Sequence, residues 1–318
     1  MPCIPIAHGI MKIKAELALS LRKVNCIICG MDDTSVILKR SMFKSMISSL
    51  VKCNKCGLIY FNPQPDNNTL TEYYSIDSDG SYGRRITAQY GALTEERISW
   101  LSSELDRMEG HLSRISPALI GDKPIHFLEV GCAVGHTLFC ANRKGWKAMG
   151  VEPSVSAVNS IRQNYDLNVV DGTIVEAAPH LPNDFDIVLM SHVLEHTLDP
   201  AAAIKAIYSL LRPGGIVLIY VPNGGGIQAR YDFSKWEWMT FPDHLWYFTP
   251  ATLRRLLENC NFAVDRVWTC IGHSNREQLF RLVKERLFLD SIDQAQSIVE
   301  LLGPMCMLSD LRVIAVKQ

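Results

Sequence analysis

The chain has 318 residues and a formal net charge of -1, from 32 Lys and Arg against 33 Asp and Glu. Hydrophobic residues make up 47% and charged residues 20%, a balance that supports a buried core over a length that fits about two domains. A mostly disordered chain, a collagen-like repeat and a uniformly basic protein are excluded. The charge is unevenly spread, since residues 1–60 hold nine Lys and Arg but three Asp and Glu. A basic N-terminal part ahead of an acidic remainder is expected.

In chain order, the opening MPCIPIAHGIM lacks the basic start and small-residue cleavage site of a secretory signal. The apolar run Ile216–Val221 is far short of a membrane span. A reducing cytoplasmic setting without membrane insertion is therefore expected, and there the ten cysteines more often bind metal than pair. Four of them form two CxxC units, Cys26 with Cys29 and Cys53 with Cys56, each followed by a glycine. Two such knuckles complete a closed tetrahedral zinc site. Residues 22–62 are thus predicted to form a zinc ribbon, with short strands at Val36–Leu38, Met42–Phe43 and Ile47–Val51. So small a module needs its metal to fold.

Phe61-Asn-Pro-Gln-Pro65 reads as a stiff connector, Thr69–Tyr74 as a short helix, and Gly80–Gly83 as its break. Ile98, Leu101, Leu105, Met108, Leu112 and Ile115 recur at helical spacing and form one apolar stripe. The stripe is too short for a coiled-coil seam and sets no oligomeric state. Residues 63–120 are expected to be a helical linker or lid. From 121 to 318 the pattern becomes βα alternation. Strands are predicted at 126–130, 148–151, 167–170, 185–190, 216–221, 263–270 and 311–316, with a helical insertion at about 275–308. Such alternation predicts an α/β fold with a doubly wound, mostly parallel sheet.

The first βα turn carries Gly131, Ala133 and Gly135, where a ligand can approach the backbone near a helix N-terminus. Glu129 lies two residues earlier, placed to counter a cationic ligand. Glu152 ends the second strand, where a carboxylate can accept both ribose hydroxyls. Alone, this pairing indicates an adenosine-containing ligand. Residues 231–248 hold eight of the 27 aromatic rings, after Gly224-Gly-Gly226. They read either as the wall of an acceptor pocket on a flexible hinge or as a small satellite core.

Together LEVGCAVG, VEPS, FDIVLMSHVLEHTLDP, LRPGGIVLIYVPN and HLWYFTPATLRRLLENCNF resemble, in order and spacing, the class I S-adenosylmethionine-dependent methyltransferases that carry an N-terminal zinc-binding segment. Ala133 departs from the pattern, which usually has glycine there. The resemblance implies a Rossmann-like sheet whose last strand is antiparallel. It also implies S-adenosylmethionine as cofactor, with a structural zinc on Cys26, Cys29, Cys53 and Cys56. The backbone of Gly131, Ala133 and Gly135 would face methionine and ribose. Glu129 would lie near the amino group and Glu152 on the ribose hydroxyls. Gly172 and Thr173 would flank adenine beside Asp171, and Ser191 and His192 would edge the transferred methyl.

Two places could supply a base. His192, Glu195 and His196 share a face if helical, although Glu195 and His196 read first as packing residues. The other is His244, beside Asp243 in the aromatic segment. In ubiquinone-type O-methyltransferases a site similar to the first is linked to a metal, but His192 here replaces the acid. The expected acceptor is a small polar metabolite such as a sugar or nucleotide-sugar, methylated on O, N or C. The alternative is an RNA substrate anchored on the basic ribbon, and a third reading is a non-catalytic scaffold.

Overall fold

The computed structural model describes residues 20–42, 46–70, 91–270 and 308–318. The helix expected at 69–74, its break at 80–83 and the insertion at 275–308 lie mostly or wholly outside these residues. The described residues fall into two compact units. One contains 20–42, 46–70, 220–255, 267–270 and 308–312, and the other 91–219, 256–266 and 313–318. No helix among the described residues is long and apolar enough to cross a membrane.

In the first unit, β1 (Leu21–Arg22) pairs with β5 (Gln64–Pro65). A second sheet contains β2 (Thr34–Met42), β3 (Met46–Cys53) and β4 (Ile59–Asn62). Its fourth member comes from far along the chain. β11 (Trp246–Tyr247) lies antiparallel to β4, with Trp246 opposite Tyr60 and Tyr247 opposite Ile59, giving the order β11-β4-β3-β2. Leu50 and Val51, Tyr60 and Phe61, and Trp246 and Tyr247 are consecutive pairs buried throughout. Neighbouring strand residues point to opposite faces, so this part of the sheet is covered on both sides.

Gly224–Gly226 does not behave as a free hinge. A Cβ at Gly224 would lie 3.1 Å from the Tyr247 carbonyl oxygen, and one at Gly226 would lie 2.9 Å from that of Leu308. These glycines serve close backbone packing. Asn223, fully buried, pins the same turn: its amide donates to Leu308 O at 2.7 Å and its carbonyl accepts from Gly225 N at 3.0 Å.

The second unit is built on the expected alternation. Helix α1 (Glu95–Ile115) starts at Thr94, whose hydroxyl accepts from Arg97 N, and carries Glu95 and Glu96 in its first turn. Both features stabilise a helix N-terminus. Its stripe Leu101, Leu105, Met108 and Leu112 is buried. Next come β6 (His126–Val130), α2 (His136–Arg143), β7 (Lys147–Glu152), α3 (Val155–Tyr165), β8 (Asn168–Asp171) and α4 (Ile174–Ala177). They are followed by β9 (Phe185–Ser191), α5 (Pro200–Leu210) and β10 (Leu211–Pro222). α6 (Ile227–Tyr231) lies in the first unit, and α7 (Pro250–Asn259), β12 (Phe262–Cys270) and β13 (Asp310–Lys317) each have residues in both.

The sheet order is β12-β13-β10-β9-β6-β7-β8, parallel except for the terminal antiparallel strand. From β6 the chain winds outward through β7 to β8, then returns to the other side of β6 as β9. The order therefore reverses between β6 and β9. Open α/β sheets bind ligands at such a switch point, outside the carboxyl ends of the strands.

Candidate active site

The turn after β6 sits at that switch point. Gly131 and Cys132 donate to Val151 O at 2.7 and 3.3 Å, and Gly135 donates to Cys132 O at 2.8 Å. Gly131, Ala133 and Gly135 have φ of 72, 49 and 77°, so alternate residues are left-handed. A Cβ at Gly131 would lie 2.3 Å from Cγ2 of Val193, in the turn after β9. Glycine is thus demanded at 131 by the protein's own packing as well as by its backbone angle. Ala133 bears the left-handed penalty, roughly 1 kcal/mol for a residue with a Cβ. Ala133→Gly should therefore raise stability by about 1 kcal/mol, measured by denaturant unfolding.

Glu152 ties this turn to β7. One carboxylate oxygen accepts from Ala133 N at 2.9 Å and the other from Ser154 N at 3.0 Å, and the residue is buried. An ionised carboxylate is an acceptor on both oxygens, the chemistry that ribose hydroxyls require. Glu129 is also buried, and its Oε2 has no hydrogen-bond partner. Burial lifts its pKa to about 8, against the pull of the Thr137 hydroxyl and the Leu138 N–H and with a further push from the Glu152 charge. An uncompensated carboxyl oxygen beside the glycine turn is the feature that an ammonium group would satisfy. The residues present thus fit the methionine end of S-adenosylmethionine through Glu129 and the ribose through Glu152.

Across β7, Asp171 lies opposite Glu152 in register, and Gly172 N donates to Glu152 O at 3.1 Å. Thr173 is committed to a capping box on α4: its hydroxyl accepts from Glu176 N, while the Glu176 carboxylate accepts from Thr173 N at 2.9 Å. Ser191 ends β9, and His192 is left-handed at φ 55°. Glu195 is fully buried, with His192 Nδ1 at 3.5 Å and His196 Nε2 at 4.0 Å from its Oε1. One enclosed carboxylate thus lies within ion-pair distance of two imidazoles. His244 lies in the other unit. It is buried, stacks on Trp238 at 5.8 Å and 13°, and places Nδ1 2.7 Å from Trp238 O. A carbonyl only accepts, so Nδ1 carries the proton and Nε2 is the basic nitrogen. Trp236, Phe241, Trp246, Tyr247 and Phe248 are buried, and Phe61 meets Phe241 at 4.7 Å. The aromatic segment is therefore largely core of its own unit.

Residues 100–267 match the family profile of a methyltransferase domain, more than half of the chain. The chain belongs to the class I S-adenosylmethionine-dependent methyltransferases. A ubiquinone biosynthesis O-methyltransferase of Aeromonas salmonicida (strain A449) is 32% identical over 213 residues, 62% of this chain and 83% of that protein. Its namesake from Klebsiella pneumoniae subsp. pneumoniae is 30% identical over 122 residues, 37% of this chain and 49% of that protein. The chain thus spans about half the length of the second relative. A solved SAM-dependent methyltransferase from Archaeoglobus fulgidus is 23% identical, with 67% of this chain and 94% of that chain covered and a TM-score of 0.44.

Sequence reasoning about this methyltransferase missed Val193 and Thr137. Val193 looks like any loop valine until β9 is placed beside β6, whereas Thr137 is the second residue of α2, within reach of Glu129.

The second candidate centre is the cysteine cluster in the first unit. The four sulfurs lie within 4.8 Å of one another, with Cys26–Cys56 at 3.3 Å and Cys29–Cys53 at 3.5 Å. Zinc–sulfur bonds of about 2.3 Å put the corners of a tetrahedron at about that spacing. Burial pushes the Cys26 and Cys56 thiols up. At Cys53 burial also pushes up, but N–H groups of Cys56 and Lys55 and the Cys29 thiol outweigh it and bring the value to about 7. Amides aimed at sulfur stabilise thiolates, the form a metal needs.

Proposed function

We propose that this methyltransferase alkylates a hydroxyl oxygen of a small polar metabolite, the class that includes sugars and nucleotide-sugars, and holds a structural zinc on Cys26, Cys29, Cys53 and Cys56. The observation that carries the site is Glu129, a buried carboxyl with an unsatisfied oxygen beside a glycine turn tethered by Glu152. The O-methyltransferase names of the relatives support oxygen as the acceptor atom. The bound cofactor supplies a sulfonium methyl that is already electrophilic, so the protein's task is alignment, exclusion of water and removal of one proton.

His192 is the proposed base. Nδ1 turned toward Glu195 leaves Nε2 for the acceptor hydroxyl, and the buried carboxylate stabilises the imidazolium that forms. The Nδ1 contact of His244 with the Trp238 carbonyl favours a second reading, in which His244 Nε2 takes the proton.

The test is a metabolite extract incubated with the protein and methyl-labelled S-adenosylmethionine, read by mass spectrometry. Label should enter a small hydroxylated molecule, and His192→Gln should cut transfer about 100-fold or more with cofactor affinity unchanged. Label confined to RNA would refute the small-molecule reading. Full transfer by His192→Gln with loss in His244→Gln would move the base to His244.

A further inference from the structure

We propose that the four-cysteine ribbon is a positioning device for His244, acting through the strand that residues 246–247 add to its sheet; this rests on the zinc reading above. β11 is two residues long and cannot hold its conformation without a template. Its template is β4, through the register Trp246–Tyr60 and Tyr247–Ile59 and the bond from Phe61 N to Leu245 O at 3.0 Å. β4 in turn begins three residues after Cys56. The second knuckle is closed by Gly57 N to Cys53 O at 2.9 Å, and Cys53 N donates to Leu58 O at 2.8 Å. Tyr60 and Trp246 add a ring contact at 5.2 Å between the two strands.

His244 stands directly before this anchored stretch. Its own amide is held by Thr240 O at 2.7 Å and its ring by Trp238. Downstream, Phe248 O accepts from Gly224 N at 2.8 Å. The chain of contacts therefore runs from the metal ligands through Leu58 and β4 to β11 and His244, all in one unit. A module of this size owes its order to the metal. Metal loss would release β4 first, then β11, and with it the fixed orientation of the imidazole. The cofactor turn belongs to the other unit.

The full chain, zinc-loaded or stripped by a chelator, is compared by amide hydrogen exchange and by titration with S-adenosylmethionine, with metal content measured on the same samples. Stripping should raise exchange at 244–248 by about tenfold or more. Protection at 126–152 and the Kd for S-adenosylmethionine should stay within about twofold. Trp246→Ala cuts the link without touching the sulfurs: it should keep its zinc yet lose protection at 244–248, and Trp246→Phe should restore it. Unchanged exchange at 244–248 after complete metal loss would overturn the proposal, as would native protection in zinc-loaded Trp246→Ala. Equal loss at 126–152 would show general unfolding and overturn it too. Purified protein without metal at the four sulfurs would refute the zinc reading itself, and the proposal with it.

Discussion

Arg212→Ala should lower the unfolding free energy by about 1–3 kcal/mol, the cost of leaving the buried Asp186 carboxylate without its partner. Arg212 opens β10 with its Nε 3.0 Å from Asp186 Oδ1, and its guanidinium also donates to Asp184 O at 2.7 and 3.0 Å. Asp186 is buried in β9, and its other oxygen accepts from His126 N at 2.8 Å. This cluster joins the amino ends of β6, β9 and β10. Burial already raises the Asp186 pKa, against the pull of the His126 N–H and of Arg212. Without the guanidinium the rise is larger. A raised carboxyl pKa contributes stability at low pH that is lost as pH climbs through it. The deficit of the variant should therefore be smallest in acid and grow toward neutrality, measured by urea unfolding across pH. Arg212→Ala combined with Asp186→Asn should recover part of the loss, because no unpaired charge remains.

Glu129→Gln should weaken S-adenosylmethionine binding at least about tenfold while stabilising the free protein in mild alkali. The amide mimics the protonated carboxyl that the folded protein prefers below about pH 8. The sign is fixed by the upward shift. In the free protein the folded state holds a proton that the unfolded chain has released, so this group's contribution is lost as pH rises from about 4.5 through about 8. Glutamine removes that dependence. Binding an ammonium requires Glu129 to ionise, so wild-type affinity should rise about tenfold per pH unit between about pH 5 and 7, and the variant's should not.

The parts of the fold that sequence disclosed are those whose order comes from local pattern. β6 and β9 read as strands because His126–Val130 and Phe185–Met190 are apolar runs bounded by turns, and α1 reads as a helix because its stripe keeps one period. The glycine turn, Glu129, Glu152 and the four cysteines were legible for the same reason, since their spacing is itself the signal. Features set by tertiary contact were not. Trp246–Tyr247 becomes a strand because β4 offers it a template. Gly224–Gly226 looks like a hinge in sequence, since freedom and close approach both select glycine; only Tyr247 and Leu308 against it decide for close approach. His192 and Glu195 sit three apart on a short turn rather than on a helix, and their 3.5 Å approach depends on the left-handed backbone of His192. Arg212 passed as part of a glycine-rich motif although its guanidinium closes the base of three strands.

We propose that Glu129 and the turn tied by Glu152 hold S-adenosylmethionine. Calorimetric titration at pH 6.5, in two buffers of different ionisation enthalpy, tests it most directly. Free Glu129 is protonated there, its pKa being about 8. One cofactor should bind per chain with release of about one proton, and Glu129→Gln should release none. Absence of binding, or binding with no proton released by the wild-type protein, would contradict it.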